Sequence, residues 1–263
     1  MKPVLLMCAA VAVAGSVHGA VQTRPVEYKA GQITCKGIVA VDTATKEKRP
    51  GILVVPEWWG VNDFATSKAE ELAKMGYVAM VVDMYGDGKS TRDPKEAGEW
   101  SGAVKADRPL MRARAEAALA QLKGQPETDP ARTAAIGFCF GGTTVLEMAR
   151  DNAEVLGVVS FHGGLQPGNA PTAKEIKSKV LVLNGAADPG SQPAVTGALA
   201  RELDDAKADW YMVEYGHAVH GFMNPGAGTD PAKGVAYNEP AARRAWAEMK
   251  TFFAEIFAGS KEQ

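Results

Sequence analysis

Short, continuously apolar segments recur along this chain, and segments with helical periodicity lie between them. The apolar runs are residues 51–56, 77–82, 133–136, 155–160, 180–183 and 210–213. Runs of this kind are typical of strands buried on both faces of a parallel sheet. The helical patterns cover residues 62–75, 110–122, 144–149, 193–203 and 240–257. This alternation predicts an α/β fold in which a mostly parallel central sheet is covered by helices on both faces.

Two further regions complete the expected fold. Residues 26–28 and 32–41 alternate between apolar and polar side chains, and they predict an antiparallel hairpin or edge strands. Residues 85–107 are rich in Gly, Asp, Lys and Arg, and we expect an irregular segment there that covers the functional site.

The first twenty residues resemble a secretory signal peptide. Lys2 is followed by an apolar run over residues 4–14 and then by small residues, which is the layout of such a peptide. The run is too short for a stable membrane anchor. We therefore expect residues 1–20 to be cleaved, after Gly19 or Ala20, and residues 21–263 to form a single domain that is periplasmic or secreted.

Composition excludes several classes of protein. Hydrophobic residues make up 46% of the 263 residues, which excludes a disordered chain. Lys and Arg total 29 against 31 Asp and Glu, a balance that indicates neither a nucleic-acid partner nor an anionic membrane partner. Three cysteines are too few for a disulfide framework. We expect a monomer that acts on a small molecule.

The most specific motif is Gly137-Phe138-Cys139-Phe140-Gly141, which follows an apolar strand and leads directly into a helical segment. This order is that of a nucleophile elbow with Cys in place of Ser. The glycines two positions before and after the nucleophile allow strand and helix to approach closely. The helix N-terminus that follows favours a thiolate at Cys139 and an oxyanion beside it.

Candidate partners of Cys139 follow in the order nucleophile, acid, base, which is typical of α/β-hydrolases. Asp188 comes after the apolar run at residues 180–183, and His220 comes after the run at residues 210–213. His220 is the candidate general base, and Asp188 would orient its ring. His217 is an alternative base in the same loop. His162 precedes Asp188 and is expected to be structural or to lie on the substrate side.

These segments together resemble the dienelactone hydrolase family. The resemblance covers nearly the whole chain after residue 20 and includes residues 54–60, 76–86, 137–142, 184–188 and 220–222. It implies the α/β-hydrolase fold, an enzyme with a Cys-His-Asp triad and no cofactor or metal, and an activated enol lactone or ester as substrate. It favours His220 as the base, and it implies that Glu57 contacts the resting thiol until substrate displaces it.

Two features bear on how a substrate would bind. The backbone N–H groups of Trp58 and Phe140 are the natural pair for an oxyanion hole. Family members that act on dienelactone hold its carboxylate with arginines, one of them shortly after the base, whereas Met223-Asn224-Pro225 follows here. Arg92, Lys95 and Arg108 are the alternatives for that contact.

Other functions for this chain are an esterase or thioesterase on another activated acyl substrate, a thiol redox protein in which Cys139 pairs with Cys35, and a non-catalytic binding protein. The redox alternative requires the two Cα atoms to lie within about 7 Å of each other. We expect Cys35 to be buried in an early edge strand and Cys139 to follow a central strand, which disfavours the disulfide.

Overall fold

The computed structural model of the protein describes residues 20–168 and 170–258. Within these residues one eight-stranded sheet is formed by β1 Val21–Ala30, β2 Ile33–Asp42, β3 Arg49–Val55, β4 Val78–Val81, β5 Thr128–Phe138, β6 Gly157–Phe161, β7 Lys179–Gly185 and β8 Trp210–Tyr215. Their order is β1-β2-β4-β3-β5-β6-β7-β8. Strands β3 to β8 are parallel, whereas β2 runs antiparallel to β1 and to β4. The predicted mostly parallel sheet is confirmed. The predicted signal peptide lies outside the described residues except for Ala20.

Strands β1 and β2 form the predicted hairpin at one edge of the sheet, and they pair over their whole length from Val21 opposite Asp42 to Ala30 opposite Ile33. Strand β1 extends beyond its predicted segment at both ends, whereas β2 has the predicted length and is shifted by one residue along the chain. Gly31 in the connecting turn has a positive φ of 62°, and glycine adopts this conformation without strain. Pro25 is tolerated in β1 because this strand lies at the sheet edge.

Helices cover both faces of the sheet, as predicted. They are α1 Asp63–Lys74, α2 Pro94–Ala106, α3 Arg108–Lys123, α4 Phe140–Arg150, α5 Pro193–Asp205 and α6 Glu239–Ala258. Helices α3, α4 and α5 contribute buried side chains to the apolar cluster on one face, and α1 and α6 contribute to the cluster on the other face. The strands of the sheet, whose ends lie near Cys139, are therefore held between two packed layers of helices.

The segment 85–107 differs from its prediction because it contains helix α2. Asp93 caps this helix by accepting a hydrogen bond from the N–H of Lys95, and Pro94 occupies the first turn, where proline is favoured. Gly98 and Gly102 within the helix weaken its apolar pattern, which is why the sequence alone did not indicate it. The helix nevertheless borders the candidate site through Ser101 and Lys105.

Helix α4, which follows Cys139, is anchored by charged groups in the interior. Glu147 is fully buried and forms ion pairs with Arg112 at 2.8 Å and with Arg150 at 3.0 Å. Arg150 also pairs with Glu202 of α5 at 2.7 Å. These contacts tie the helix behind Cys139 to α3 and α5.

Candidate active site

Cys139 occupies the sharp turn between β5 and α4. Its φ is positive, at 53°, and residues with a side chain rarely adopt this left-handed conformation. A Cβ added at Gly137 would lie 2.0 Å from the carbonyl oxygen of Gly141, and one added at Gly141 would lie 2.1 Å from that of Val55. The turn therefore requires both glycines, as the spacing in the sequence predicts.

The backbone beside Cys139 includes an N–H donor that has no partner within its own helix. Phe140 is the first residue of α4, and the first N–H groups of a helix have no partner within it. Trp58 lies in the loop after β3 and lines the same cavity as Cys139 and Phe140. The structure thus brings both predicted oxyanion-hole residues to the edge of the cavity that contains the thiol.

Asp188 and His220 meet beyond the ends of β7 and β8. Asp188 Oδ2 lies 2.8 Å from His220 Nδ1, and Asp188 Oδ1 accepts a hydrogen bond from the N–H of Gly190 at 2.7 Å. Asp188 is 2% exposed. Because Nδ1 faces Asp188, Nε2 is the ring nitrogen left to face Cys139.

His220 lies beside Cys139, and the two side chains line the same two cavities. Burial is the largest single influence on the pKa of His220 and lowers it. The interactions with Asp188 and Cys139 together outweigh burial and raise this pKa to about 10. The protonated form of the His220 ring is thus favoured near neutral pH.

The two other candidate histidines lie elsewhere. His217 is exposed in the turn after β8, three residues before His220. His162 is fully buried, and its ring centroid lies 5.2 Å from that of His220 in an edge-on arrangement. Burial, followed by the nearby charge of His220, holds the pKa of His162 well below its usual range. His162 is therefore a neutral side chain packed against His220.

Glu57 precedes Trp58 in the loop after β3 and is only 5% exposed. Its Oε2 accepts a hydrogen bond from Asn224 Nδ2 at 2.6 Å. Burial raises the pKa of Glu57 to about 7, although the hydrogen bond from Asn224 and the charge of His220 both lower it. The carboxyl group lines a cavity together with Cys139, while its described hydrogen bond is to Asn224. The contact between Glu57 and the resting thiol stays a prediction.

Asn224 was not a candidate on sequence grounds. It lies four residues after His220, in the segment where the resemblance implies an arginine, and that position was the only signal that could have identified it.

Two cavities meet at Cys139, Trp58 and His220 and differ in character. One, of about 420 Å³, is lined by polar and cationic side chains that include Lys105 and Arg108. The other, of about 340 Å³, is mainly apolar and is lined by Trp59, Ala227 and Val235 among others, with Glu57 at its edge. The site therefore offers different surroundings on the two sides of the thiol.

The three residues that were predicted as alternatives for binding a substrate carboxylate lie apart in the structure. Arg108, at the start of α3, lines the polar cavity beside Cys139. Arg92 lines a separate cavity with Trp59 and Asn224, and Lys95 is exposed in the first turn of α2. Lys105, near the end of α2, joins Arg108 in the polar cavity and was missed because its helix was not predicted.

Cys35 and Cys139 are both free thiols, so the structure contains no disulfide between them. Cys35 is fully buried in β2, as predicted. Burial raises the pKa of Cys35 to about 11. In the described part of the chain no helix is long and apolar enough to cross a bilayer. No group of three or more His, Cys, Asp or Glu side chains is placed to hold a metal ion among residues 20–168 and 170–258.

An eight-stranded, mostly parallel sheet with an elbow cysteine beside an Asp-His pair at the carboxyl ends of its strands defines an α/β-hydrolase. Residues 36–257 match the family model described as the dienelactone hydrolase family. The chain belongs to this family and is a hydrolase.

Individual relatives support this assignment. A Methylorubrum extorquens protein that carries the name putative carboxymethylenebutenolidase is 30% identical over 198 residues, which cover 70% of this chain and 68% of that protein. The crystal structure of a dienelactone hydrolase-like promiscuous phosphotriesterase from metagenomic libraries is 41% identical with a TM-score of 0.86, over 90% of this chain and 99% of that one. A dienelactone hydrolase from Anabaena variabilis, 22% identical, shares the fold with a TM-score of 0.59, over 79% of this chain and 91% of that one.

Proposed function

We propose that this hydrolase cleaves a carboxylic ester or enol lactone through a thioester on Cys139, with His220 as general base and acid and Asp188 as its orienting partner. The observation that carries this proposal is the series from Asp188 through His220 to the elbow thiol, in which Asp188 and His220 are hydrogen bonded at 2.8 Å and His220 and Cys139 line the same cavities. Such a series activates a nucleophile and holds the histidine ring in one tautomer.

The first half of the reaction forms the thioester. The thiolate of Cys139 attacks the carbonyl carbon, and the resulting oxyanion accepts hydrogen bonds from the N–H groups of Trp58 and Phe140. The bond from carbon to the leaving oxygen then breaks, and His220 donates its proton to that oxygen. A thiolate is itself a good leaving group, so the reaction favours substrates that release a stabilised enolate.

The second half hydrolyses the thioester, and the charge on His220 changes before it begins. The thiolate of Cys139 contributes to the raised pKa of His220 through a hydrogen bond and its negative charge. Acylation removes both, so the pKa of the ring falls and His220 can accept a proton from water. Water then attacks the thioester carbonyl, and the proton returns from His220 to the departing sulfur.

Glu57 would act on the resting enzyme. A pKa of about 7 leaves this carboxyl group partly protonated at neutral pH. We propose that it contacts the thiol when the site is empty and is displaced by substrate. A thiol kept protonated resists oxidation, since the thiolate is the species that reacts with oxidants.

The substrate is proposed to be a small molecule that spans the two cavities beside Cys139. Lys105 and Arg108 give the polar cavity a positive charge, which suits a substrate carboxylate on that side. The apolar cavity beside Trp59 and Val235 suits an uncharged part of the substrate.

A second candidate function is hydrolysis of phosphotriesters. It is favoured by the 41% identity to a dienelactone hydrolase-like enzyme described as a promiscuous phosphotriesterase. Attack of the Cys139 thiolate on phosphorus would release an aryloxide, and water would then cleave the bond between sulfur and phosphorus. Turnover of a diethyl aryl phosphate that is lost in Cys139→Ala would support this activity. Release of only one aryloxide per enzyme molecule, without turnover, would show that the phosphotriester inactivates the enzyme and is not a substrate.

We also propose that the protein is exported and acts as a monomer. Export with removal of residues 1–20 follows from the sequence pattern, and N-terminal sequencing of the protein recovered from cells tests it. A monomer is expected, and sedimentation equilibrium of the processed protein tests that expectation.

The decisive experiment compares the parent enzyme with Cys139→Ala on a panel of enol lactones and aryl esters, each with and without a carboxylate. We expect the variant to fold normally and to lose turnover of every substrate. His220→Ala should lose turnover as well, whereas His217→Ala should retain it. Undiminished turnover in Cys139→Ala would overturn the mechanism.

A further inference from the structure

Tyr85 lies between the two residues that are proposed to form the oxyanion hole. Its hydroxyl donates a hydrogen bond to the carbonyl oxygen of Trp58 at 3.0 Å. Its ring centroid lies 5.7 Å from that of Phe140, with an angle of 31° between the planes. The side chain is buried. One residue therefore contacts both Trp58 and Phe140 without taking part in the proposed proton transfers.

The loop that carries Tyr85 is held by a buried carboxylate. Asp83 is 1% exposed, and its two oxygens accept hydrogen bonds from four backbone N–H groups, those of Lys36, Tyr85, Gly86 and Gly88. The ring of Trp100 packs on Tyr85, with 5.5 Å between the ring centroids. The position of the Tyr85 hydroxyl is thus determined by contacts that do not depend on the loop containing Trp58.

The Trp58 loop is tied to residues 89–91 on the far side of Trp58, where the carbonyl of Trp59 accepts a hydrogen bond from the N–H of Thr91 at 3.0 Å. Among the hydrogen bonds of the described residues, the carbonyl of Trp58 itself has the Tyr85 hydroxyl as its donor. Rotation about the backbone bonds of Trp58 would turn its N–H away from a bound oxyanion. It would also allow its carbonyl, which repels negative charge, to face the cavity.

We propose that Tyr85 is a positioning residue for the oxyanion hole, whose hydroxyl holds the Trp58 carbonyl back so that the Trp58 N–H faces the oxyanion. This inference rests on the proposed function, because it assumes an oxyanion formed by attack of Cys139. The ring of Tyr85 at the same time limits movement of Phe140, the second donor. Burial and then the charge of Cys139 raise the pKa of Tyr85, so its hydroxyl stays protonated and remains a donor.

The test is Tyr85→Phe, which removes one oxygen atom and keeps the ring. We expect kcat for an aryl ester to fall by about 10-fold, less than the roughly 10²- to 10³-fold loss that follows removal of an oxyanion donor itself. KM should change by less than about 2-fold, since the bond acts on the transition state. Tyr215→Phe is the matched control, because Tyr215 is also buried and its hydroxyl has no partner among the described residues.

Two probes of Cys139 separate positioning from a general structural effect. A trifluoromethyl ketone adds to the thiolate and leaves an oxyanion in the hole, so its affinity should fall in Tyr85→Phe by the same factor as kcat. Iodoacetamide alkylates the thiolate by displacing iodide and forms no oxyanion, so its rate should be unchanged.

Three results would overturn the inference. The first is that kcat and ketone affinity are unchanged in Tyr85→Phe. The second is that Tyr85→Phe loses as much of the alkylation rate as of kcat, and the third is that Tyr215→Phe loses as much kcat as Tyr85→Phe. Failure of the proposed function gives a different result, because Cys139→Ala would then retain turnover whatever the behaviour of Tyr85→Phe.

Discussion

Asn224 Nδ2 donates a hydrogen bond to Glu57 Oε2 over 2.6 Å and joins the loop after His220 to the loop after β3. An amide can donate to a carboxyl group whether that group is charged or protonated. An arginine at this place would add a full positive charge and hold the pKa of Glu57 low. With asparagine there, burial dominates, and the pKa of Glu57 rises to about 7.

Glu57 is expected to make stability depend on pH. Its pKa is about 7 in the folded protein against an ordinary value of 4.5. The protonated carboxyl group of Glu57 therefore contributes its full stability below its ordinary pKa, and this stability is lost as the pH rises through its pKa in the folded protein. Glu57→Gln removes the charge and should raise the free energy of unfolding at pH 8 by up to about 3 kcal/mol, at about 1.4 kcal/mol per pKa unit.

Urea denaturation at pH 8 and pH 4 measures the effect of Glu57→Gln, which should vanish at pH 4. The exposed Glu47→Gln serves as control. A gain in stability that is independent of pH would contradict the prediction.

Asp188 is expected to determine the titration of His220. Asp188→Asn removes a negative charge, so the pKa of His220 should fall below its value of about 10. The variant can also turn the ring to the wrong tautomer, and kcat should fall by about 10²- to 10⁴-fold. NMR titration of the histidine ring protons, together with steady-state kinetics, measures both effects. Asp205→Asn alters an exposed carboxylate of α5 and should change neither. An unchanged His220 titration in Asp188→Asn would argue against the assignment.

The elbow should not tolerate a methyl group. In Gly137→Ala the new Cβ would lie 2.0 Å from the Gly141 carbonyl oxygen. We expect a loss of about 3 kcal/mol or more in the free energy of unfolding, because backbone would have to move to relieve this overlap. Gly102→Ala is the matched control, since a Cβ there meets nothing within 4 Å. Alanine should favour that helix by about 0.5–1 kcal/mol. Thermal and urea denaturation compare the two variants, and equal stability would show that the close approach at the elbow is relieved at little cost.

The buried ion pairs of α4 should be sensitive to loss of one partner. Glu147→Gln leaves Arg112 and Arg150 without their shared buried carboxylate. We expect the free energy of unfolding to fall by about 3–5 kcal/mol, because buried charges then lack compensation. Glu154→Gln is the control, since it removes a carboxylate whose side chain is 90% exposed. Its effect should be small, because an ion pair at the surface contributes little to stability.

Urea denaturation at pH 7 measures both variants of these ion pairs. A small effect in Glu147→Gln would mean that Asp151 and Glu202, the other partners of the two arginines, compensate for the loss.

Much of the fold could be predicted from the chain because its signals are local. Continuous apolar runs predict buried parallel strands, and the elbow glycines predict a sharp turn whatever surrounds it. Helix α2 escaped prediction because Gly98 and Gly102 interrupt its pattern. Its stability comes from caps and from packing against neighbouring elements.

The sequence by itself determined that the sheet is mostly parallel with helices on both faces and that the chain turns sharply at Cys139, because these features depend on residues close together in the chain. The order in which Asp188 and His220 follow Cys139 is read directly from the chain as well. Only the tertiary structure decided that Asp188 meets His220 while His217 lies exposed in its turn, that Asn224 holds Glu57, and that Tyr85 reaches the Trp58 carbonyl. Each of these contacts joins loops from different strands. Their distances depend on how the whole sheet twists and packs, and no spacing along the chain records that.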